Sequence, residues 1–315
     1  MPPTLTDIQQ AARRIKPYAH RTPVITNESL NQQVSARMYL KCENFQKVGA
    51  FKFRGACNAV FSLSEEEAAR GVCTHSSGNH AQALALAAKL RGISAYIVMP
   101  YNAPSVKKNA VAGYGSQITF CEPTLEARES MLDRIRLDTG ASVVHPYNDE
   151  RVIAGQGTAA LELLEDVPDL DVIITPVGGG GLLSGTSIAA TETKRGIRVI
   201  AGEPEMADDA YRSMKAGEII PSVNPKTIAD GLLTSLGTIT FPIIQERVEQ
   251  IVTVSEAGII ASMKFIWERA KIVIEPSAAV AVGVLWEKKI DLHGLKVGVI
   301  LSGGNVDLEK MPWQY

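Results

Sequence analysis

The strongest constraint in this sequence is a recurrence. Short apolar runs rich in Val and Ile return along the chain: "YIVMP" at 96–100, "SVVHP" at 142–146, "DVIITPV" at 171–177, "RVIAGEP" at 198–204, "QIVTVS" at 250–255 and "VGVILSGG" at 297–304. Between them lie alanine-rich stretches with helical spacing, such as "HAQALALAAKL" and "AGQGTAALELLE". Strand-length apolar runs alternating with helices call for parallel sheets covered on both faces. The fold class predicted is therefore α/β. The segment from roughly 71 to 147 contains about four β/α units by this periodicity and is expected to form a small sheet of its own. No Pro/Gly/Ser-rich linker separates it from the rest, so two domains would pack closely or interleave.

Bulk properties exclude several function classes. At 315 residues the chain can bury a large core without staples. A net charge of −2 gives no electrostatic reason to expect nucleic acid or an anionic membrane as partner. No apolar run approaches the ~20 residues that span a bilayer. The start, "MPPTLTDIQQAARRI", lacks the apolar core of a signal peptide. The cysteines, Cys42, Cys57, Cys73 and Cys121, show no CxxC spacing and read as reduced thiols. A cytoplasmic enzyme is expected.

Several apolar runs end at Gly or Pro, and in open α/β sheets ligands bind beyond the carboxyl ends of the strands. "TPVGGGGLLSG", 175–185, runs a strand into four glycines and then a helix. Bare amides at a helix start favour an anion. The glycines fit neither GxGxxG nor a P-loop, so a phosphate other than a dinucleotide pyrophosphate is expected; close helix–sheet packing is the competing explanation. "THSSGNHAQALALAA", 74–88, places Ser76, Ser77 and Asn79 at another helix start, suited to a carboxylate or to simple capping. A lone His80 there is more often a hydrogen-bonded helix residue than a catalyst. "VILSGGNVDL", 299–308, makes a third glycine turn, with Ser302 at the strand end. Three such loops favour one composite site. In "GEPEMADDAYRSM", 202–214, Glu203, Asp208 and Asp209 offer carboxylates to Mg²⁺ or Ca²⁺, or simply enrich a helix N-terminus in acid. In "AFKFRGA", 50–56, Lys52 sits between two phenylalanines.

Together these stretches resemble the fold-type II pyridoxal-phosphate (PLP) enzymes, in the serine/threonine dehydratase and serine racemase branch. The order and spacing hold from about residue 5 to 308, and the four motifs in sequence are highly specific. "KPYAHRTPVITNESLN", "HPYNDERVIAGQGT" and "IADGLLTSLGTITFPII" are similar to serine racemases, plant-type ones included. The resemblance implies a tryptophan synthase β-like fold of two open, twisted, mostly parallel sheets. A large PLP-binding domain would take 1–70 and 148–315, and a small mobile domain 71–147.

It also implies site roles. Lys52 would carry PLP, with Phe51 flanking the ring and Asn79 bonding the ring hydroxyl. Gly178, Gly179, Gly180 and Gly181 would hold the phosphate, and Ser302 would face the pyridine nitrogen. Ser76, Ser77, Asn79 and His80 would surround the substrate carboxylate, with Ser77 as the acid/base on the face opposite Lys52. Arg128, Asn148 and Ser235 match positions linked to substrate contact and loop closure. Glu203, Asp209 and the Ala207 carbonyl match a site for Mg²⁺, Ca²⁺ or Mn²⁺. Asn27, Lys47, Lys271 and Asn305 match regions that bind Mg-ATP as an effector. A homodimer is implied.

The chemistry expected is interconversion of L- and D-serine together with β-elimination of serine to pyruvate and ammonia. Inversion needs an acid/base group on each face of Cα, and Lys52 and Ser77 supply two. Ser302 cannot protonate the ring nitrogen as a carboxylate would, which favours elimination of a β-leaving group. Ammonia-lyase action on threonine or threo-3-hydroxyaspartate is the rival, since Arg128 could meet a second substrate carboxylate. A PLP-binding protein without catalysis is the third alternative. The sequence stops at Tyr315, so no C-terminal regulatory domain of the threonine dehydratase kind is expected.

Overall fold

The computed structural model describes residues 2–76, 78–103 and 105–313. Ser77 lies outside the described residues. The strands, in chain order, are β1 Val24–Ile25, β2 Arg37–Cys42, β3 Val72–His75, β4 Ala95–Pro100, β5 Gln117–Cys121, β6 Ser142–Val143, β7 Val172–Pro176, β8 Arg198–Pro204, β9 Gln250–Val254 and β10 Lys296–Leu301. Every apolar run singled out in the sequence contains a strand, although "SVVHP" keeps only two residues of one. Beyond Val143 the chain turns away into a loop that reaches Lys52.

The strands form two sheets. Six pair in the order β1-β2-β10-β7-β8-β9, and four in the order β5-β4-β3-β6. Among the strands of the described residues β1 alone runs antiparallel to its neighbour, and the other strand pairs are parallel. Strands 72–143 thus make the small sheet by themselves, as their four β/α units suggest.

Strand order explains where a site must lie. The chain adds β8 and β9 on one side of β7, then returns to insert β10 on the other. The carboxyl ends of β7 and β10 therefore flank a topological switch point, where diverging connections leave a crevice. The glycine run follows β7 and Ser302 follows β10. Buried Val, Ile and Leu from β2, β7, β8, β9 and β10 fill the core between this sheet and its covering helices, notably Pro276–Trp286, which is apolar but for Ser277. The helices Glu150–Asp166 and Gly181–Thr193 cover the opposite face.

The strand β2 escapes a search for apolar runs because it carries Arg37 and Lys41. Lys41 is nevertheless fully buried. Its Nζ donates to Glu162 at 2.6 Å and to the Thr22 carbonyl at 2.7 Å. Beside it, Arg54 is also fully buried and bridges both oxygens of Glu43 (2.7 and 2.8 Å) and both of Glu162 (2.8 and 2.8 Å). These carboxylates hold the Arg54 guanidinium firmly charged despite its burial. The helix Lys52–Phe61 that carries Arg54 also carries Lys52 at its first position. A buried charge network thus pins the end of the helix that presents the amine.

Candidate active site

Lys52 is held by what precedes it. The chain crosses from the short turn Lys47–Gly49 to the helix by pairing with the turn after β10. Phe51 donates its amide to the Ser302 carbonyl at 3.0 Å, and Gly304 donates to the Gly49 carbonyl at 2.9 Å. Ala50 and Gly303 form an antiparallel bridge. Gly49 needs its φ of +69°, and a Cβ there would stand 2.6 Å from Asn305 Oδ1. Two of the motifs are thus stitched together backbone to backbone.

The amine of Lys52 donates to the Pro146 carbonyl at 2.8 Å and lies 5.1 Å from the centre of the Phe51 ring. Burial lowers its pKa to about 8, against an opposing pull from the nearby Glu275 carboxylate. A substantial neutral fraction near neutrality is what a nucleophilic or proton-moving lysine requires.

The loop 145–148 is organised by a histidine. His145 Nδ1 accepts the amides of Tyr147 (3.3 Å) and Asn148 (2.9 Å). Both bonds need the lone pair, and burial helps keep the ring neutral, with its pKa lowered to about 4. The ring of Tyr147 lies flat on the glycine run. A Cβ on Gly179 would fall 2.3 Å from its ring carbons, and one on Gly181 would fall 3.0 Å from its Cα. Asn148 uses both polar ends on the segment beyond, accepting from the Ile239 amide at 2.8 Å and donating to Thr238 Oγ1 at 3.1 Å. The structure therefore shows Asn148 as a fastener between two loops.

The glycine run leads into the helix Gly181–Thr193, whose N-terminus has no side-chain cap. Gly180 has a φ of +90°, and a Cβ there would meet Thr240 and Ile244 at 2.8 Å. Thr240 Oγ1 donates to the Gly179 carbonyl at 2.8 Å, turning that peptide's oxygen away. Close packing and uncapped amides thus coexist here, and the uncapped helix start fits a phosphate.

Asn79 opens the helix Asn79–Arg91 at the end of the small sheet. Its Nδ2 donates to Glu275 at 2.9 and 3.2 Å, and its Oδ1 accepts from Asn305 Nδ2 at 2.9 Å. Glu275 was not singled out by the sequence. It is buried, and desolvation raises its pKa to about 7. His80 is buried, with Nε2 on the Val144 carbonyl at 3.0 Å and Nδ1 without a partner. Burial lowers its pKa to about 3, so the ring is neutral. A carbonyl only accepts, so the proton sits on Nε2 and Nδ1 is a bare acceptor near Lys52. Ser76 Oγ accepts the Gly78 amide at 3.3 Å.

The remaining positions are less central. Arg128 donates to the Thr124 carbonyl at 3.2 Å, and its charge reaches His75 at the end of β3. Ser235 Oγ accepts the Ser222 amide at 2.8 Å. Glu203 receives the amides of Ala210 and Tyr211, both at 2.8 Å, at the start of the helix Asp209–Ala216. Burial raises its pKa to about 8 and that of Asp209 to about 6. Asp209 Oδ2 is buried without a partner. Among the described residues no cluster of three or more His, Cys, Asp or Glu side chains could hold a metal. A cation would therefore depend on Glu203, Asp209, the Ala207 carbonyl and water. Asn27 caps a helix through the Leu30 amide and donates to the Arg269 carbonyl at 3.1 Å, which puts it near Lys271. Lys47 lies over the Phe53 ring at 5.6 Å, and Asn305 Nδ2 donates to the Val48 carbonyl at 2.7 Å.

The crevice thus joins an amine of lowered pKa, an uncapped helix start, an unpartnered buried imidazole nitrogen and a serine at a strand end. That donor set fits a phosphate-bearing aldehyde cofactor. The family described as pyridoxal-phosphate dependent enzymes matches residues 15–303. The chain belongs to this family. Among relatives of this pyridoxal-phosphate dependent enzyme, a serine racemase of Dictyostelium discoideum is 52% identical over 314 residues, covering 98% of this chain and 96% of the relative. A beta-hydroxyaspartate dehydratase of Paracoccus denitrificans is 51% identical over 311 residues, covering 99% of each. The solved structure of maize serine racemase superposes with a TM-score of 0.96 at 45% identity, covering 98% of this enzyme and 95% of that chain. The fold is accordingly that of the fold-type II PLP enzymes, with a large and a small domain. No helix among the described residues is long and apolar enough to cross a membrane.

Proposed function

We propose that this enzyme interconverts L- and D-serine and also eliminates from serine to give pyruvate and ammonia. The observation that carries the reading is the Lys52 amine, made reactive by burial and gripped between the 145–148 loop and the turn after β10. Relatives named serine racemase on near-complete alignments support it.

When bound, PLP supplies the conjugated electron sink that makes the substrate Cα–H acidic. Lys52 would bear the cofactor and move the Cα proton on one face; Ser77 would do so on the other. The amides of Gly178, Gly179, Gly180 and Gly181 would hold the phosphate, with Phe51 beside the ring and Asn79 on its hydroxyl. Ser302 would offer the ring nitrogen a neutral hydroxyl. Ser76, Asn79 and His80 would receive the substrate carboxylate end, while Arg128, Asn148 and Ser235 would shape and close the pocket. Small-domain residues 71–147 would close over the large domain formed by 1–70 and 148–315.

Glu203, Asp209 and the Ala207 carbonyl are proposed to hold Mg²⁺, Ca²⁺ or Mn²⁺; the orphaned buried Asp209 oxygen supports this. Asn27, Lys47, Lys271 and Asn305 are proposed to meet Mg-ATP. The bond from Asn305 to Asn79 would carry that contact to the cofactor pocket. A homodimer and a cytoplasmic location complete the proposal, the latter in keeping with four free, buried thiols.

A second reading has its own support. Relatives named beta-hydroxyaspartate dehydratase and L-threo-3-hydroxyaspartate ammonia-lyase are 51% and 48% identical. A panel of serine, threonine and threo-3-hydroxyaspartate, assayed for D-serine, pyruvate and other keto acids, decides between them. Fastest turnover of hydroxyaspartate with no D-serine would reject the serine reading. Lys52→Ala should abolish every activity, and Ser77→Ala should lose racemisation. Native racemisation by Ser77→Ala would end the two-face assignment.

A further inference from the structure

Glu275 stands immediately before Pro276 at the start of the helix Pro276–Trp286 and is 4% exposed. Its amide donates to the Gly303 carbonyl at 2.9 Å, and its carboxylate accepts the Asn305 amide at 3.2 Å. Gly303 must be glycine for this approach, since a Cβ would stand 2.5 Å from Glu275 Oε1. The same carboxylate takes Asn79 Nδ2 at 2.9 and 3.2 Å.

A side-chain amide has two orientations that exchange its donor and acceptor ends. Here the choice is made twice. Ionised Glu275 only accepts, so it requires Nδ2 of Asn79; the donations from Asn79 and from the Asn305 amide favour that form against the burial that raises its pKa. Asn305 offers Nδ2 at 2.9 Å on the other side and requires Oδ1. Asn305 is itself oriented by its second donation, to the Val48 carbonyl at 2.7 Å. Both contacts to Glu275 converge on one nitrogen, and a single N–H can be shared between the two carboxylate oxygens.

We propose that Glu275 is a positioning residue: its carboxylate locks the Asn79 amide so that it presents N–H, and never C=O, to the cofactor ring. The proposal rests on the reading that Asn79 meets the ring hydroxyl. Removing the negative charge while keeping the shape, as in Glu275→Gln, takes away one of the two constraints on Asn79, because a glutamine amide can accept or donate, and leaves Asn305 alone to hold the orientation. A flipped Asn79 would set its carbonyl against the ring oxygen. A merely structural role would instead lower the stability of the cofactor-free protein and leave the bound cofactor's spectrum alone.

The test compares Glu275→Gln, Asn79→Ala and the double variant, measuring PLP affinity by titration of the cofactor-free protein, the visible absorption of the holoenzyme, and unfolding of the cofactor-free form. Each single variant should weaken PLP by roughly tenfold, the loss of about one charge-assisted hydrogen bond, and shift the balance of absorption bands in the same direction. The double variant should resemble Asn79→Ala alone. Should Glu275→Gln fail to fold, Glu275→Asp withdraws the carboxylate by one methylene and should shift the bands likewise. A folded Glu275 variant with wild-type affinity and spectrum, beside an altered Asn79→Ala, overturns the proposal. An Asn79→Ala variant with unaltered affinity and spectrum overturns the reading of Asn79 beneath it.

Discussion

At Lys52 the environment, more than the motif, makes the chemistry. The amine begins from an ordinary pKa of 10.5 and is lowered to about 8 by burial. Only the neutral amine attacks a carbonyl, so capture of PLP by the cofactor-free enzyme should accelerate as pH rises through about 8. The rate at which cofactor absorbance develops after mixing, followed against pH, checks this; a midpoint above about 10 would mean the lysine is unperturbed. Gly179 makes a second test at this scale. A methyl group there would sit 2.3 Å from the Tyr147 ring, so Gly179→Ala should lose about 1–3 kcal/mol of stability. Adding Tyr147→Ala should recover part of it, measured as a double-mutant cycle in denaturant. The sequence pointed to the glycines and Ser302 because glycine and serine clusters at strand ends are local signals, whereas Lys52 stood out only through the resemblance of its motif. Glu275 was not legible: before Pro276 it looks like any acid at a helix start, and its partners at 79 and 305 lie far along the chain. His145 was hidden for a different reason: its partners are backbone amides of its own loop, which leave no side-chain pattern.

Among the elements, the helix Lys52–Phe61 depends most on partners distant in sequence. Arg54 lies between Glu43 and Glu162 with no exposure, and Lys41 shares Glu162. Replacing Arg54 by Met should cost about 3–5 kcal/mol in urea unfolding, because buried Glu43 loses its counter-charge and Glu162 is left with Lys41 alone. Converting Glu43 to Gln in the same chain, with Glu162 kept as the partner of Lys41, should return much of that loss. A cost below about 1 kcal/mol would show that water reaches the network. This cluster explains why β2 could not be read from the sequence. Its Lys41 looks like a solvent residue until the helix Glu150–Asp166 brings Glu162 alongside. Runs such as "DVIITPV", by contrast, announce themselves, since a central parallel strand must be apolar on both faces.

For the molecule as a whole, the proposed cation site offers a measurable coupling. If Mg²⁺ or Ca²⁺ binds Glu203, Asp209 and the Ala207 carbonyl in the folded state alone, it must stabilise the fold, by about 2.7 kcal/mol at a hundred times its Kd. The unfolding temperature should therefore rise with added cation in the wild type and stay level in Asp209→Asn. An equal rise in both would place the ion elsewhere. The two-sheet division was legible from spacing alone, but the way the sheets communicate was not. One route is the ion pair of Lys107, on the helix Ser105–Gly113 of the small sheet, with Asp230 at 2.5 Å. Others are the bonds of Asn79 with Glu275 and Asn305, and the loop leaving β6. This loop is the chain's only passage from the end of the four-stranded sheet back to the six-stranded one, and its Pro146 carbonyl is the acceptor for Lys52. The Lys52 amine is therefore tied to the segment that joins the two sheets, and any displacement of that loop would lengthen or shorten one hydrogen bond.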